Sequence, residues 1–258
     1  MSKILIKIGI KSKNALKERL NSKIKNKVLE DYLKLIKQNK NKLIIENKKD
    51  IKAAERKKLK ENFIKRLSLN YQKINSIIKS IKTISKFKDP VDFELDRWKR
   101  PNGLEIKKVT IPFGVIGVIY ESRPNVTADV STLCFKSGNS VILRGGTEAY
   151  FSNKMLANLF RKALQKNKIN KNFVQFIDNK NRKLVDFMLS KMANYIDLII
   201  PRGGKNLVKK VQNLSSVPVI GHLEGICHTY LDKDINLKMA KKIVVNAKLR
   251  NTSICGAT

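Results

Sequence analysis

The feature that most constrains this chain begins at Phe113, where short, almost unbroken runs of Val and Ile alternate with longer amphipathic stretches. "FGVIGVIYE", "SVILRG", "FVQFI" and "IDLIIPRGG" read as four strands. Between and after them the spacing predicts helices at about 127–136, 148–165, 181–192 and 205–214, the first ended by Ser137-Gly138-Asn139. Strands that are apolar on both faces and separated by helices belong to a parallel sheet covered on both sides. "VPVIG" and "ICHTYLD" read as further strands, and "INLKMAKKIVVNAKL" as a last helix. The expected fold class is therefore α/β, with a mostly parallel Rossmann-like sheet at its centre.

What precedes the sheet has a different period. In residues 1–94 apolar positions such as Val28, Tyr32, Leu33, Leu35 and Ile36 recur at helical spacing, and Pro is absent until Pro90. This part reads as packing helices with Lys and Glu on their outer faces, and shows no chemistry of its own. Residues 95–110 form two strand-like runs around Asn102-Gly103, a hairpin signal because both residues tolerate positive φ. Such a hairpin suits docking between domains or subunits. Residues 111–249 then form the expected parallel-sheet unit.

Composition narrows the function classes. The 258 residues carry 55 Lys and Arg against 21 Asp and Glu, a net charge of +34. Nucleic-acid binding is the obvious reading of that number. However, Lys far outnumbers Arg, whereas base readout and phosphate clamps prefer Arg. The excess is also spread along the chain, 30 basic against 11 acidic residues in 1–100 and 25 against 10 in 101–258. Solvated helix faces explain it more simply, and no specific nucleic-acid partner is expected. No apolar run is long enough for a membrane span. The lysines in "MSKILIKIGIKSKN" break up any signal-peptide core. Three cysteines without paired spacing fit a reducing, cytoplasmic setting. His222, Cys227 and His228 match no zinc spacing, so no metal is expected.

Ligands of parallel sheets bind beyond the carboxyl ends of the strands. That directs attention to 121–125, 144–148 and 201–205. Two of these carry glycine pairs beside Arg: Arg144-Gly145-Gly146 with Glu148, and Arg202-Gly203-Gly204 with Lys205. Glycine permits close backbone approach and a following helix N-terminus favours anions, so a phosphorylated ligand fits both turns. Neither is a Walker loop or a G-x-G-x-x-G fingerprint. In "YESRPNVTADVS", Pro124 biases Arg123 away from helix and presents Asn125 where a helix starts. Local physics favours Asn125 as the helix N-cap; the alternative is an amide that donates to an oxyanion.

Several of these strings together, "PNGLEIKKVTIPFGVIGVIYESRPNVTADVSTLCFKSGNSVILRGGTEAYFSN", "DLIIPRGGKNLVKKV", "ICHTYLDKDINLKMAKKIVVNAK" and "TSICGAT", resemble the gamma-glutamyl phosphate reductases, a branch of the aldehyde dehydrogenase superfamily. The resemblance implies an aldehyde-dehydrogenase-like fold and reduction of L-glutamyl 5-phosphate by NADPH to L-glutamate 5-semialdehyde and phosphate, a step of proline biosynthesis. It aligns Cys255 with the family's nucleophile and Asn125 with its oxyanion donor, and it turns Gly145, Gly146, Gly203 and Gly204 toward the dinucleotide, NADPH or NADP. Arg144, Glu148, Arg202 and Lys205 flank those glycines in what the resemblance makes a Rossmann-like dinucleotide-binding domain (111–249), and Arg123 and His222 are assigned to the substrate. His222 falls near the place where hydrolytic relatives keep a glutamate base, and a shifted alignment would put Glu224 there instead. Residues 250–258 correspond to the start of a catalytic domain whose remainder the family carries further on. The 258-residue polypeptide alone is therefore expected to be inactive, and its full-length parent to be active. Implied partners are the substrate, handed on from glutamate 5-kinase, and further copies of the chain in a homo-oligomer. Alternatives are another acylating aldehyde dehydrogenase and, from a different class, a basic nucleic-acid-binding protein.

Overall fold

The computed structural model describes residues 2–221, 225–250 and 257–258. Among them, helices α1 (Ser2–Ala15), α2 (Ser22–Gln38), α3 (Lys40–Arg56), α4 (Glu61–Leu67) and α5 (Tyr71–Ser85) come first. A hairpin of β1 (Glu94–Lys99) and β2 (Glu105–Val109) follows. The remainder alternates: β3 (Val115–Tyr120), α6 (Pro124–Lys136), β4 (Ser140–Gly145), α7 (Tyr150–Lys166), β5 (Val174–Phe176), α8 (Lys183–Lys191), β6 (Leu198–Arg202), α9 (Lys205–Leu214) and finally α10 (Leu237–Leu249). No helix among the described residues is long and apolar enough to cross a membrane.

The four later strands form one sheet in the order β5-β4-β3-β6, every pair parallel. Strand β3 is central, and all six of its residues are buried. Its side chains alternate between two cores, as a strand's period of two requires. Ile116, Val118 and Tyr120 join Val141, Leu143 and Val174 against α2, α5, α6 and α7, where Tyr32, Phe135, Phe160 and Phe173 interlock with ring centroids 4.6–5.6 Å apart. Val115 and Ile119 join Ile142 and Ile199 on the opposite face, against α1, α8 and α9. The first helix of the chain thus packs on the face away from the next four, close enough that a Cβ on Gly9 would lie 2.5 Å from that of Tyr195.

Among the polar contacts that tie the helical segment to the sheet unit are two built on the buried Lys25 and Asp50. The buried Lys25 Nζ reaches Asp89 at 2.7 Å and donates to the Lys136 carbonyl at 3.2 Å. The buried Asp50 accepts from the backbone N–H groups of Phe151 and Ser152 at 3.0 and 2.9 Å, capping α7 from α3.

Three expectations need correction. "VPVIG" makes only an isolated bridge, Val219 to Ile199, with Ile199 N donating to the Pro218 carbonyl and Ile220 N to the Ile199 carbonyl. The next bond of that ladder requires an N–H from residue 201, which is Pro201, so pairing stops there. "ICHTYLD" forms no strand in its described residues; Ile226 and Tyr230 are 80% and 85% exposed. At the hairpin tip only Gly103 takes positive φ (86°), and Arg100 N closes the loop on the Leu104 carbonyl at 2.9 Å. Asn102 serves instead through its side chain, whose Oδ1 accepts from Leu104 N.

Candidate functional site

The chain runs from β3 to β4 to β5 on one side, then returns to place β6 on the other side of β3. Connections leave in opposite directions at that point, and the crevice beyond the carboxyl ends of β3 and β6 is where such sheets take ligands. Three turns meet there. Glu121 N donates to the Arg202 carbonyl at 3.0 Å, and Glu121 Oε1 accepts from Gly204 N at 2.8 Å, at the start of α9. Ser122 Oγ donates to Glu148 Oε2 at 2.9 Å, joining the turn after β3 to the turn after β4.

A cleft of about 470 Å³ opens over these turns. Its floor is Tyr120–Ser122 and Arg144–Glu148, and its far wall is Val185 of α8 and Leu207 of α9, with Arg182 and Lys210 at the charged rim. The glycines of the first pair fit tightly against protein. A side chain at Gly145 would run into Asn153 and Tyr120, and one at Gly146 would meet Ser122 Oγ at 2.5 Å. Gly203 is likewise packed against the Glu121 side chain.

The charges are arranged by the same turns. Arg144 is only 5% exposed and spends its guanidinium on the carbonyls of Gly145 (2.7 Å) and Lys180 (3.2 Å), so it organises the turn. Burial lowers its pKa. For Glu148 burial works to raise the pKa, but hydrogen bonds from Thr147, the backbone and Ser122, with the charge of Lys57, hold the carboxyl below its ordinary range. Arg202, Gly203, Gly204 and Lys205 are exposed beside the cleft.

Asn125 lies on the other side of the same turn. Arg123 is the N-cap residue of α6, Pro124 opens the helix, and Asn125 is its second residue, so the expected capping role is not the one it takes. Its exposed amide instead donates forward to Asp129 Oδ2 at 3.2 Å. Arg123, Asn125 and Asp129 border a second cleft of about 490 Å³, closed on its far side by Lys65, Arg66 and Lys73 of α4 and α5. Cys255, His222 and Glu224 lie outside the described residues.

The structure thus brings Arg144, Gly145, Gly146 and Glu148 onto one cleft, Arg123 and Asn125 onto another, and the four residues 202–205 beside the first. Sequence reasoning missed the remaining lining. Val185, Leu207, Arg182 and Lys210 sit on helices that read only as packing elements. Lys65, Arg66 and Lys73 are hidden among lysines of every other helix face. The amphipathic strength of α9 was legible, but not that Leu207 of its first turn would face a cleft.

Comparison with known proteins places this geometry. No family model matches the chain. A curated gamma-glutamyl phosphate reductase of Paramagnetospirillum magneticum is 47% identical over 190 residues, 74% of this chain and 45% of the relative. The crystal structure of gamma-glutamyl phosphate reductase from Thermotoga maritima superposes with a TM-score of 0.92 at 36% identity, over 98% of this chain and 62% of that one. An acetylating aldehyde dehydrogenase of Geobacillus thermoglucosidasius has the same fold at 14% identity, with a TM-score of 0.68 over 98% of this chain and 53% of that one. The chain therefore spans about half the length of the curated relatives it matches.

Proposed function

Over the length it spans, this chain belongs to the gamma-glutamyl phosphate reductase family, and from that premise we propose that it supplies the dinucleotide-binding half and the nucleophile of an NADPH-dependent reductase. The enzyme would convert L-glutamyl 5-phosphate to L-glutamate 5-semialdehyde and phosphate, in the cytoplasm, as a step toward proline. The observation that carries this reading is the meeting of the β3, β4 and β6 turns beneath a cleft with apolar walls and a cationic rim.

That cleft suits a dinucleotide. Val185 and Leu207 present apolar surface to a flat base, Glu148 offers a carboxylate for ribose hydroxyls, and Arg182 offers charge to a 2′-phosphate, joined by Lys210, which is held at the rim by Asp186 at 2.7 Å. NADPH, when bound, supplies the hydride. On the protein side, the Cys255 thiolate would attack the acyl carbon and expel phosphate, a good leaving group. Asn125, whose second amide hydrogen is left over after Asp129 takes the first, would donate to the tetrahedral oxyanion. By the resemblance His222 would stand where hydrolytic relatives keep a glutamate base, sparing the thioester, whereas Glu224 in that place would activate water against it. Arg202, Gly203, Gly204 and Lys205 would flank the cofactor, and Arg123 the substrate. The exposed hairpin, with Leu95 and Trp98 55% and 42% exposed, is the surface offered to further copies of the chain. Delivery of the acyl phosphate by glutamate 5-kinase would shorten its exposure to water.

Two measurements test this. NADPH titrated into the chain should bind saturably by its own fluorescence, with Lys210→Glu and Arg182→Glu weakening NADPH more than NADH; absence of binding would sink the cofactor assignment. In the enzyme assembled over the relatives' full length, Cys255→Ala should abolish phosphate-dependent oxidation of the semialdehyde, and undiminished turnover would refute the nucleophile.

A further inference from the structure

The second cleft contains one carboxylate among several cations. Asp129, one turn beyond Asn125 on α6, accepts from Ser80 Oγ at 2.8 Å through Oδ1 and from Asn125 Nδ2 at 3.2 Å through Oδ2. These bonds hold it at the edge of the space bordered by Lys65, Arg66, Lys73 and Arg123. Lys65 is engaged by Glu61 at 2.8 Å, and Lys73 Nζ is drawn in by the carbonyls of Lys65 and Ser68 at 2.5 and 2.7 Å. Burial lowers the pKa of Lys73, so the cleft already withdraws that ammonium from water. A cleft with one fixed anion facing several cations is matched to a dipolar ligand.

The placement of Asp129 is otherwise hard to reconcile with Asn125 as an oxyanion donor. A carboxylate bonded to the same amide would repel the developing oxyanion and undo the donor's benefit. A cation that arrives with the substrate removes the conflict. In an extended five-carbon amino acid the ammonium nitrogen lies four bonds from the acyl carbon, about 5 Å. Residues i and i+4 of a helix stand about 5–6 Å apart between Cβ atoms. The Asn125 amide and the Asp129 carboxylate project from these adjacent positions with their tips 3.2 Å apart, so one such ligand can touch both, its acyl oxygen at the amide and its ammonium at the carboxylate.

We propose that Asp129 receives the α-ammonium group of the amino-acid substrate while Arg66 and Lys73 receive its α-carboxylate, which makes this cleft the specificity pocket of the chain. The assignment rests on the reading of Asn125 as the residue at the reacting carbonyl. It requires an L-amino acid with a free amine and excludes simple diacids.

Calorimetric titration of the chain with L-glutamate and with glutarate, the same diacid without the amine, tests it. L-glutamate should bind roughly ten- to a hundredfold more tightly, the worth of one charge-assisted hydrogen bond. Asp129→Asn should erase that preference by weakening L-glutamate, while glutarate, freed of the repelling carboxylate, binds as well or better. Ser80→Ala, which only loosens Asp129, should cost a few-fold on L-glutamate alone and serves if Asp129→Asn fails to fold. Equal affinity of the unmodified chain for both ligands, or a variant that weakens both alike, overturns the proposal. NADPH titrated into the same samples separates the two levels. A chain that binds NADPH without distinguishing the diacids loses this inference and keeps the reductase reading; one that binds neither loses both.

Discussion

Glu121 Oε1 sits 2.8 Å from the backbone nitrogen of Gly204, so a carboxylate occupies the N-cap amide in front of α9 at the crevice between β3 and β6. That is the place where a sheet of this topology offers a helix N-terminus to a ligand's phosphate. The glutamate and a pyrophosphate are competing anions there. Glu121→Ala should therefore tighten NADPH binding several-fold, read by fluorescence titration, while lowering thermal stability only slightly. Weaker binding in the variant would show that Glu121 is a ligand contact instead.

Gly145 is defined by what fills the space beside it. Asn153 and Tyr120 occupy the volume of a Cβ, and Tyr120 Oη, Thr127 Oγ1 and Asn153 Oδ1 form a buried hydrogen-bonded row at 2.7 and 2.9 Å. Gly145→Ala should cost about 1–3 kcal/mol by overpacking, measured by urea unfolding. A variant as stable as the parent would mean that Asn153 moves aside freely.

The Lys25–Asp89 pair should respond asymmetrically. The Lys25 side chain is 1% exposed and that of Asp89 17%. Asp89→Ala strands a buried ammonium and should cost about 3 kcal/mol or more, whereas Lys25→Met replaces it with an apolar chain of similar length and should stay within about 1 kcal/mol. Equal losses in unfolding experiments would argue against charge burial as the cause.

Asp50 gives a pH signature. Burial pushes its carboxyl above the ordinary 3.8, against the opposing hydrogen bonds from Ser152 and Phe151. An acid whose pKa is higher folded than unfolded favours folding fully only below the unfolded value, and that contribution is lost as pH rises through the folded one. The stability advantage of the parent over Asp50→Asn should thus be largest below pH 3.8 and shrink above it. A difference that grows with pH would mean that the hydrogen bonds outweigh burial.

How much of this was legible in the sequence depended on whether one chain segment decided the outcome. Strand β4 occupies the six residues "SVILRG" and α9 the ten from Lys205, because continuous apolar runs and a strong helical stripe need no distant information. Val219 and its neighbours looked just as strand-like, yet their pairing ends at a proline eighteen residues earlier in the chain. Asn125 read as a cap because it follows a proline, whereas Pro124 itself opens the helix and moves the cap back to Arg123. The clefts were the least legible part. Leu207 and Lys73 carry no mark distinguishing them from other helical residues, and only the three-dimensional meeting of α8 with α9, and of α4–α5 with α6, gives them a role.

The position of α1 on the α8–α9 face of the sheet, apart from the next four helices, has a consequence for how the molecule folds. Ile8 offers its carbonyl to Gln175 across 167 residues, and Leu5 shares a core with Val211 and Val217. Helix α1 thus finds its neighbours only across most of the polypeptide, and such distant pairings are slow to form. Until those partners arrive its greasy stripe lacks its native cover, which makes α1 a natural client for a chaperone.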